Sequence, residues 1–145
     1  IARNIAIKAR IVEADEQETL GIRALLNFGH TIGHGIEAAV PYGELLHGEA
    51  IALGMRAALY LSERKAGLDP AASRKILALL ETYGLPLVLP ESISTDTVMA
   101  RLATDKKFSA GAIRFVVLDA PGCARVTGEV TSDDLRQAIE QLRIP

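Results

Sequence analysis

Residues 48–66, GEAIALGMRAALYLSERKA, constrain this chain more than any other stretch. Apolar residues fall on more than one face of a helix drawn through them, so that helix has no side to leave in water. It reads as a buried central helix that begins at His47 or Gly48 and runs to about Ala66. Gly67 follows as a plausible C′ glycine. Every other element has to pack around it.

The flanking segments read as amphipathic helices. In IARNIAIKARIVEA (1–14), Ile1, Ile5, Ile7, Ile11 and Val12 lie close to helical spacing. Glu13, Asp15, Glu16 and Glu18 end that helix or begin the next. A second helix is expected from about Glu18 to Ala39, broken by Pro41-Tyr42-Gly43. Asp69 as cap and Pro70 at the first position predict a fourth helix to about Tyr83, stopped by Gly84. LPLVLPES (85–92) carries two prolines and reads as an extended linker rather than a central strand. Ser94 or Thr95 caps a fifth helix ending near 105–107. IRFVVL (113–118) and ARVTGEV (124–130) flank the turn Asp119-Ala120-Pro121-Gly122 and predict a β-hairpin. Thr131 or Ser132 caps a last helix to about Leu142. The fold class is mainly α with one small β-hairpin, and no internal repeat is visible.

A length of 145 residues suits one domain with a sizeable core. With 49% apolar and 23% charged residues the chain is globular rather than disordered. A net charge of −2 disfavours nucleic acid or an anionic membrane as partner, but a few local cations still suffice for a small anionic ligand. The one cysteine, Cys123, permits no intrachain disulfide, which fits a reducing, cytoplasmic setting. No apolar run is long enough to span a bilayer and no signal peptide opens the chain. The first residue is isoleucine, within a predicted helix, so the expectation is a piece of a longer protein.

All three histidines, His30, His34 and His47, lie in one region, in NFGHTIGHGIE (27–37) and the HGEA that follows. On the expected second helix, steps of four and three put Arg23, Asn27, His30, His34 and Glu37 on one face. His30 and His34 at i, i+4 can share a metal, although most such pairs are surface or satisfied core residues. The stretch between them lacks the glutamate of a metalloprotease H-E-x-x-H. His47, just after the break, could fold back onto the stripe. Two or three histidines without cysteine suit a catalytic zinc with an open position better than a closed structural site. Arg23 and Asn27 add anion and hydroxyl recognition. Gly29, Gly33 and Gly35 each cost a helix about 1 kcal/mol against alanine. They could let another backbone, or a ligand, come close. For Lys8 the plainer reading is a solvated helix face, for Lys106 and Lys107 a helix C-terminus, and for Glu18 an acidic first turn. Tyr42 and Tyr60 read as packing, and Cys123 has no role.

The run RALLNFGHTIGHGIEAAVPYGELLHGEAIALGM (23–55), with IKARIVEADEQE before it and DKKFSAGAIRFVVL after it, closely resembles the 3-dehydroquinate synthase family of sugar-phosphate cyclases. More remotely it resembles the iron- or zinc-dependent polyol dehydrogenases. The resemblance implies the helical C-terminal domain of the dehydroquinate synthase-like fold. NAD would be bound mainly by an N-terminal domain, and this chain shows no G-x-G-x-x-G to hold it. His30 and His47 would be two ligands of a zinc or cobalt ion, with a third, a glutamate, upstream of residue 1. His34 would be catalytic, handling protons, and Glu18, or Glu16 in another register, would order His34 or a water. Arg23 and Lys8 would bind a substrate carboxylate, and Asn27 with Lys106 or Lys107 a phosphate.

The implied reaction converts 3-deoxy-D-arabino-heptulosonate 7-phosphate to 3-dehydroquinate and phosphate, in the shikimate pathway of aromatic amino acid biosynthesis. NAD transiently oxidises the C5 hydroxyl, phosphate is eliminated, the ketone is reduced back, and the opened ring closes by an aldol step. The expected partners are the sugar-phosphate substrate, the chain's own N-terminal domain and a second copy in a homodimer. The domain alone would be inactive. Two other readings stand beside this one. The first is a sister cyclase, such as 2-deoxy-scyllo-inosose synthase or a valiolone-forming relative. The second is a non-enzymatic, metal-binding helical module.

Overall fold

The computed structural model describes residues 1–17, 21–41, 43–104 and 113–144. Helix α1 (Ala2–Ala14) is followed by a short 3-10 helix (Arg23–Asn27), α2 (His30–Ala39) and α3 (His47–Lys65). Then come α4 (Pro70–Thr82), α5 (Thr95–Ala103), strands β1 (Phe115–Ala120) and β2 (Cys123–Thr127), and α6 (Ser132–Gln141). No helix among the described residues is long and apolar enough to cross a membrane.

α3 is the central buried helix. Ala50, Leu53, Ala57, Ala58 and Leu61 join Ile32 and Ile36 of α2, Val98 and Leu102 of α5, Phe115 and Val117 of β1, and Leu135 and Ile139 of α6 in one core. α2 packs on α3 and α5, while β1, α6 and α4 pack on α3. α1 contributes no buried residue, and Ile1, Ile5 and Ile7 stand exposed along it.

Local chemistry accounts for the element ends. Asp69 accepts from the Ala71 N–H at 2.9 Å with Pro70 at the first position, and Ser94 accepts from the Thr97 N–H at 3.0 Å. At α6 the Thr131 hydroxyl accepts from the Asp134 N–H while the Asp134 carboxylate accepts from the Thr131 N–H at 2.9 Å, a reciprocal capping box. The hairpin is antiparallel, with Phe115 opposite Thr127 and Val117 opposite Arg125. Its turn closes on Gly122 at φ 84°. Residues 85–90 carry no helix or strand, in line with the two prolines. Arg56 ties this linker to the chain end, donating to the carbonyls of Leu87 (2.5 Å) and Ile144 (2.6 Å).

The second helix departs from expectation. The sequence predicts one helix from about 18 to 39, but regular α structure begins only at His30. Arg23–Asn27 is a 3-10 helix, Phe28 is extended (φ −56°, ψ 126°), and Gly29 caps α2 in the left-handed region at φ 79°. The single helical stripe therefore splits: His30, His34 and Glu37 share a face of α2, while Arg23 and Asn27 belong to a separate turn.

Gly29 and Gly33 let α2 pack closely on the backbone of α3, and Gly35 makes room for the side chains of α5. A Cβ on Gly29 would stand 2.7 Å from the Met55 nitrogen, and one on Gly33 would stand 2.8 Å from Ile51 Cδ1 and 3.1 Å from the Ala50 carbonyl oxygen. One on Gly35 would meet Leu102 of α5 at 2.7 Å. Glycine lets helices approach more closely than the usual interaxial 8–10 Å, which larger contact side chains impose. Close approach of another backbone, one of the two purposes the sequence leaves open, is found at Gly29 and Gly33.

Candidate metal centre

The register of the α2–α3 pair decides where the histidines go. The two helices run antiparallel: Gly29 lies against Met55, Gly33 against Ile51, and Glu37 against His47. His30 is the first residue of α2, and His47 the first of α3. The approach to α3 is held by the Glu49 carboxylate, which accepts from the Leu46 N–H at 2.7 Å. Steps of four and three carry His30, His34 and Glu37 along one face toward that point.

Three imidazoles from two helices thus converge. Ring centroids lie 5.3 Å apart for His30 and His34, 6.1 Å for His30 and His47, and 5.8 Å for His34 and His47. One ligand atom of each ring lies within 4.8 Å of the others. His30 is half-buried, and His34 and His47 are exposed, so the cluster opens on the surface.

Two of the rings are held from behind. His30 Nδ1 lies 3.2 Å from the Phe28 carbonyl oxygen. A carbonyl only accepts, so His30 makes this bond by donating from Nδ1, which in the neutral ring leaves the lone pair on Nε2. His47 Nδ1 lies 3.1 Å and 3.3 Å from the two Glu37 carboxylate oxygens. A zinc-type ion fits this donor set. Imidazole nitrogen is a preferred ligand, and each held ring can turn its other nitrogen inward. Zinc–nitrogen bonds of about 2.0–2.1 Å put tetrahedral ligand atoms roughly 3.3 Å apart.

The other expected site residues are more dispersed. Arg23 opens the 3-10 helix. Its N–H donates to Asp15 Oδ2 at 3.2 Å and its guanidinium to the Glu16 carbonyl at 3.4 Å. Asp15 is buried. Asn27 ends the same turn and is exposed. Lys8 stands exposed midway along α1. Glu18, Lys106 and Lys107 lie outside the described residues. Glu37 lies on the histidine face expected from the sequence, which gives no sign of its pairing with His47. Its place three residues after His34 and seven after His30 becomes meaningful only once the α3 register is known.

The fold is shared with solved synthases. It superposes on 2-epi-5-epi-valiolone synthase ValA of Streptomyces hygroscopicus subsp. jinggangensis 5008, solved with NAD+ and Zn2+ bound, with a TM-score of 0.79 and 24% identity. That match covers 97% of this chain and 38% of ValA. A 2-deoxy-scyllo-inosose synthase complexed with carbaglucose-6-phosphate, NAD+ and Co2+ matches at 0.69 and 26% identity, over 79% of this chain and 32% of that one.

Sequence narrows the class. The 3-dehydroquinate synthase C-terminal family profile matches residues 1–108, and the chain belongs to that family. The 3-dehydroquinate synthase of Pseudoalteromonas atlantica is 44% identical over 140 residues, 97% of this chain and 39% of the relative. That of Azotobacter vinelandii is 44% identical over 140 residues, 97% and 38% of the two chains. The chain therefore spans about two-fifths of the length of these curated relatives.

Proposed function

We propose that this domain forms the metal- and substrate-holding half of a 3-dehydroquinate synthase, which converts 3-deoxy-D-arabino-heptulosonate 7-phosphate to 3-dehydroquinate and phosphate. The observation that carries the reading is the meeting of His30, His34 and His47 across the α2–α3 seam, in a chain of this family. NAD is held mainly by an N-terminal domain, and the protein works as a cytoplasmic homodimer in the shikimate pathway.

His30 and His47 would hold Zn2+ or Co2+, with Phe28 and Glu37 engaging their Nδ1 atoms. When bound, the metal supplies Lewis acidity to a substrate hydroxyl oxygen and NAD supplies a hydride acceptor. His34 stands beside both ligands and moves a proton at a ring nitrogen as phosphate leaves. Arg23 and Lys8 grip the substrate carboxylate, and Asn27 with Lys106 or Lys107 grips the phosphate. Glu18 orders His34 or a water. Fixing both anionic ends of a flexible sugar phosphate leaves only its reacting centre free to move.

A second reading is a sister cyclase acting on a sugar phosphate without a carboxylate, favoured by the fold likeness to ValA and 2-deoxy-scyllo-inosose synthase. One assay separates the two. The intact protein, with NAD and zinc, should release phosphate from the heptulosonate and stop when a chelator is added. Turnover of glucose 6-phosphate or sedoheptulose 7-phosphate in preference would move the assignment to the sister class.

A further inference from the structure

Glu37 is neither in the histidine cluster nor among the substrate-binding residues above. We propose that Glu37 is a positioning residue: it fixes the His47 ring across the helix pair, so that Nε2 faces the cluster and metal affinity depends on a side chain that does not ligate. This inference rests on the reading of His47 as a metal ligand.

Packing does little to orient His47. It is the first residue of α3, its side chain is 57% exposed, and Leu46 before it is 66% exposed. What holds the ring is the Glu37 carboxylate, with oxygens 3.1 Å and 3.3 Å from Nδ1. An ionised carboxylate only accepts, so the bond to Glu37 places a proton on Nδ1, and in the neutral ring that leaves the lone pair on Nε2. His30 has the same arrangement with a backbone carbonyl in the carboxylate's place. Metal-bound histidines commonly donate their second ring N–H to a carboxylate or carbonyl in this way. Glu37 comes from the opposite helix, and the glycine-packed seam of Gly29, Gly33 and Gly54 fixes how far apart α2 and α3 lie. The reach from Glu37 to His47 is thus set by the packing of the two helices.

The competing picture is an ordinary surface ion pair with doubly protonated His47. Such an exposed pair contributes little. It would also leave no ring nitrogen free for a metal.

The test uses the intact protein with Glu37→Ala, Glu37→Gln and His47→Ala. Co2+ affinity is measured by chelator competition, and the His47 tautomer by NMR of 15N-histidine-labelled apoprotein. Glu37→Ala should weaken Co2+ binding about 10–100-fold and release His47 from the Nδ1–H form. Glu37→Gln, whose amide oxygen accepts the same bond, should stay closer to wild type than to Glu37→Ala on both readouts. The proposal is overturned if wild-type His47 is in the Nε2–H form, if Glu37→Ala binds Co2+ like wild type, or if Glu37→Gln is no better than Glu37→Ala. If His47→Ala itself leaves Co2+ affinity unchanged, it is the assignment of His47 as a ligand that fails.

Discussion

Gly54 of α3 lies against Gly33 of α2 so closely that a methyl carbon on Gly54 would stand 2.6 Å from the Gly33 nitrogen and 2.9 Å from its Cα. The obstacle is backbone, which cannot swing aside as a side chain end can. The same seam carries His30 and His34 on one helix and His47 on the other, so the helix contact and the candidate metal centre share one geometry.

Gly54→Ala separates these effects. Alanine gains about 1 kcal/mol of helix propensity, but overpacking a core seam costs about 1–3 kcal/mol and more where backbone is struck. Urea denaturation should show net destabilisation, and Co2+ affinity should fall because the seam opens beneath the histidines. A variant as stable as wild type would mean the seam is looser than described.

Ser62 pins the hairpin to the central helix. It is fully buried, donates to the Ala58 carbonyl at 2.6 Å, and accepts from the Leu118 N–H at 3.0 Å. Ser62→Ala strands that N–H, at about 1–3 kcal/mol. The loss should appear in equilibrium unfolding and as faster amide exchange at Leu118. Unchanged exchange there would show that the N–H has another acceptor.

Asp134 makes stability depend on acid. Burial pushes its carboxyl up, but hydrogen bonds from Lys65 and from the Thr131 N–H and hydroxyl, with the Lys65 charge, outweigh that and hold it below the usual range. The Lys65 Nζ lies 2.8 Å away, and the Asp134 side chain is 14% exposed. A depressed carboxyl stabilises the fold above its unfolded pKa, about 3.9, and the contribution is lost as pH falls through the folded value. Asp134→Asn should therefore lose about 1 kcal/mol near neutrality. The gap to wild type should close in acid. A gap that stays constant down to about pH 2 would contradict the linkage.

Much of the fold was legible because its signals are local. Asp69-Pro70, Ser94 and Thr131 announce helix starts through hydrogen bonds made within three residues, and each is found as a cap. The apolar run of α3 announced a helix without a solvent face. The break at Phe28–Gly29 was hidden, because apolar and polar periodicity runs on through a 3-10 turn much as it does through an α-helix. The three histidines stood out by rarity and by family resemblance. Glu37 did not, since its partner is ten residues away on another helix and only the α2–α3 register joins them. Arg23 and Asn27 were placed on one stripe with the histidines, a grouping that the left-handed Gly29 divides.

The claim at the centre is that His30 and His47 hold the metal while His34 acts beside it. The most direct measurement is Co2+ affinity and ligand-field absorption of the intact protein in His30→Ala, His34→Ala and His47→Ala. His30→Ala and His47→Ala should lose most of their Co2+ affinity, whereas His34→Ala should bind Co2+ with wild-type affinity and an unchanged spectrum yet fail to release phosphate. Equal loss of metal in all three variants would make His34 a ligand, and undiminished affinity in His30→Ala or His47→Ala would contradict the assignment outright.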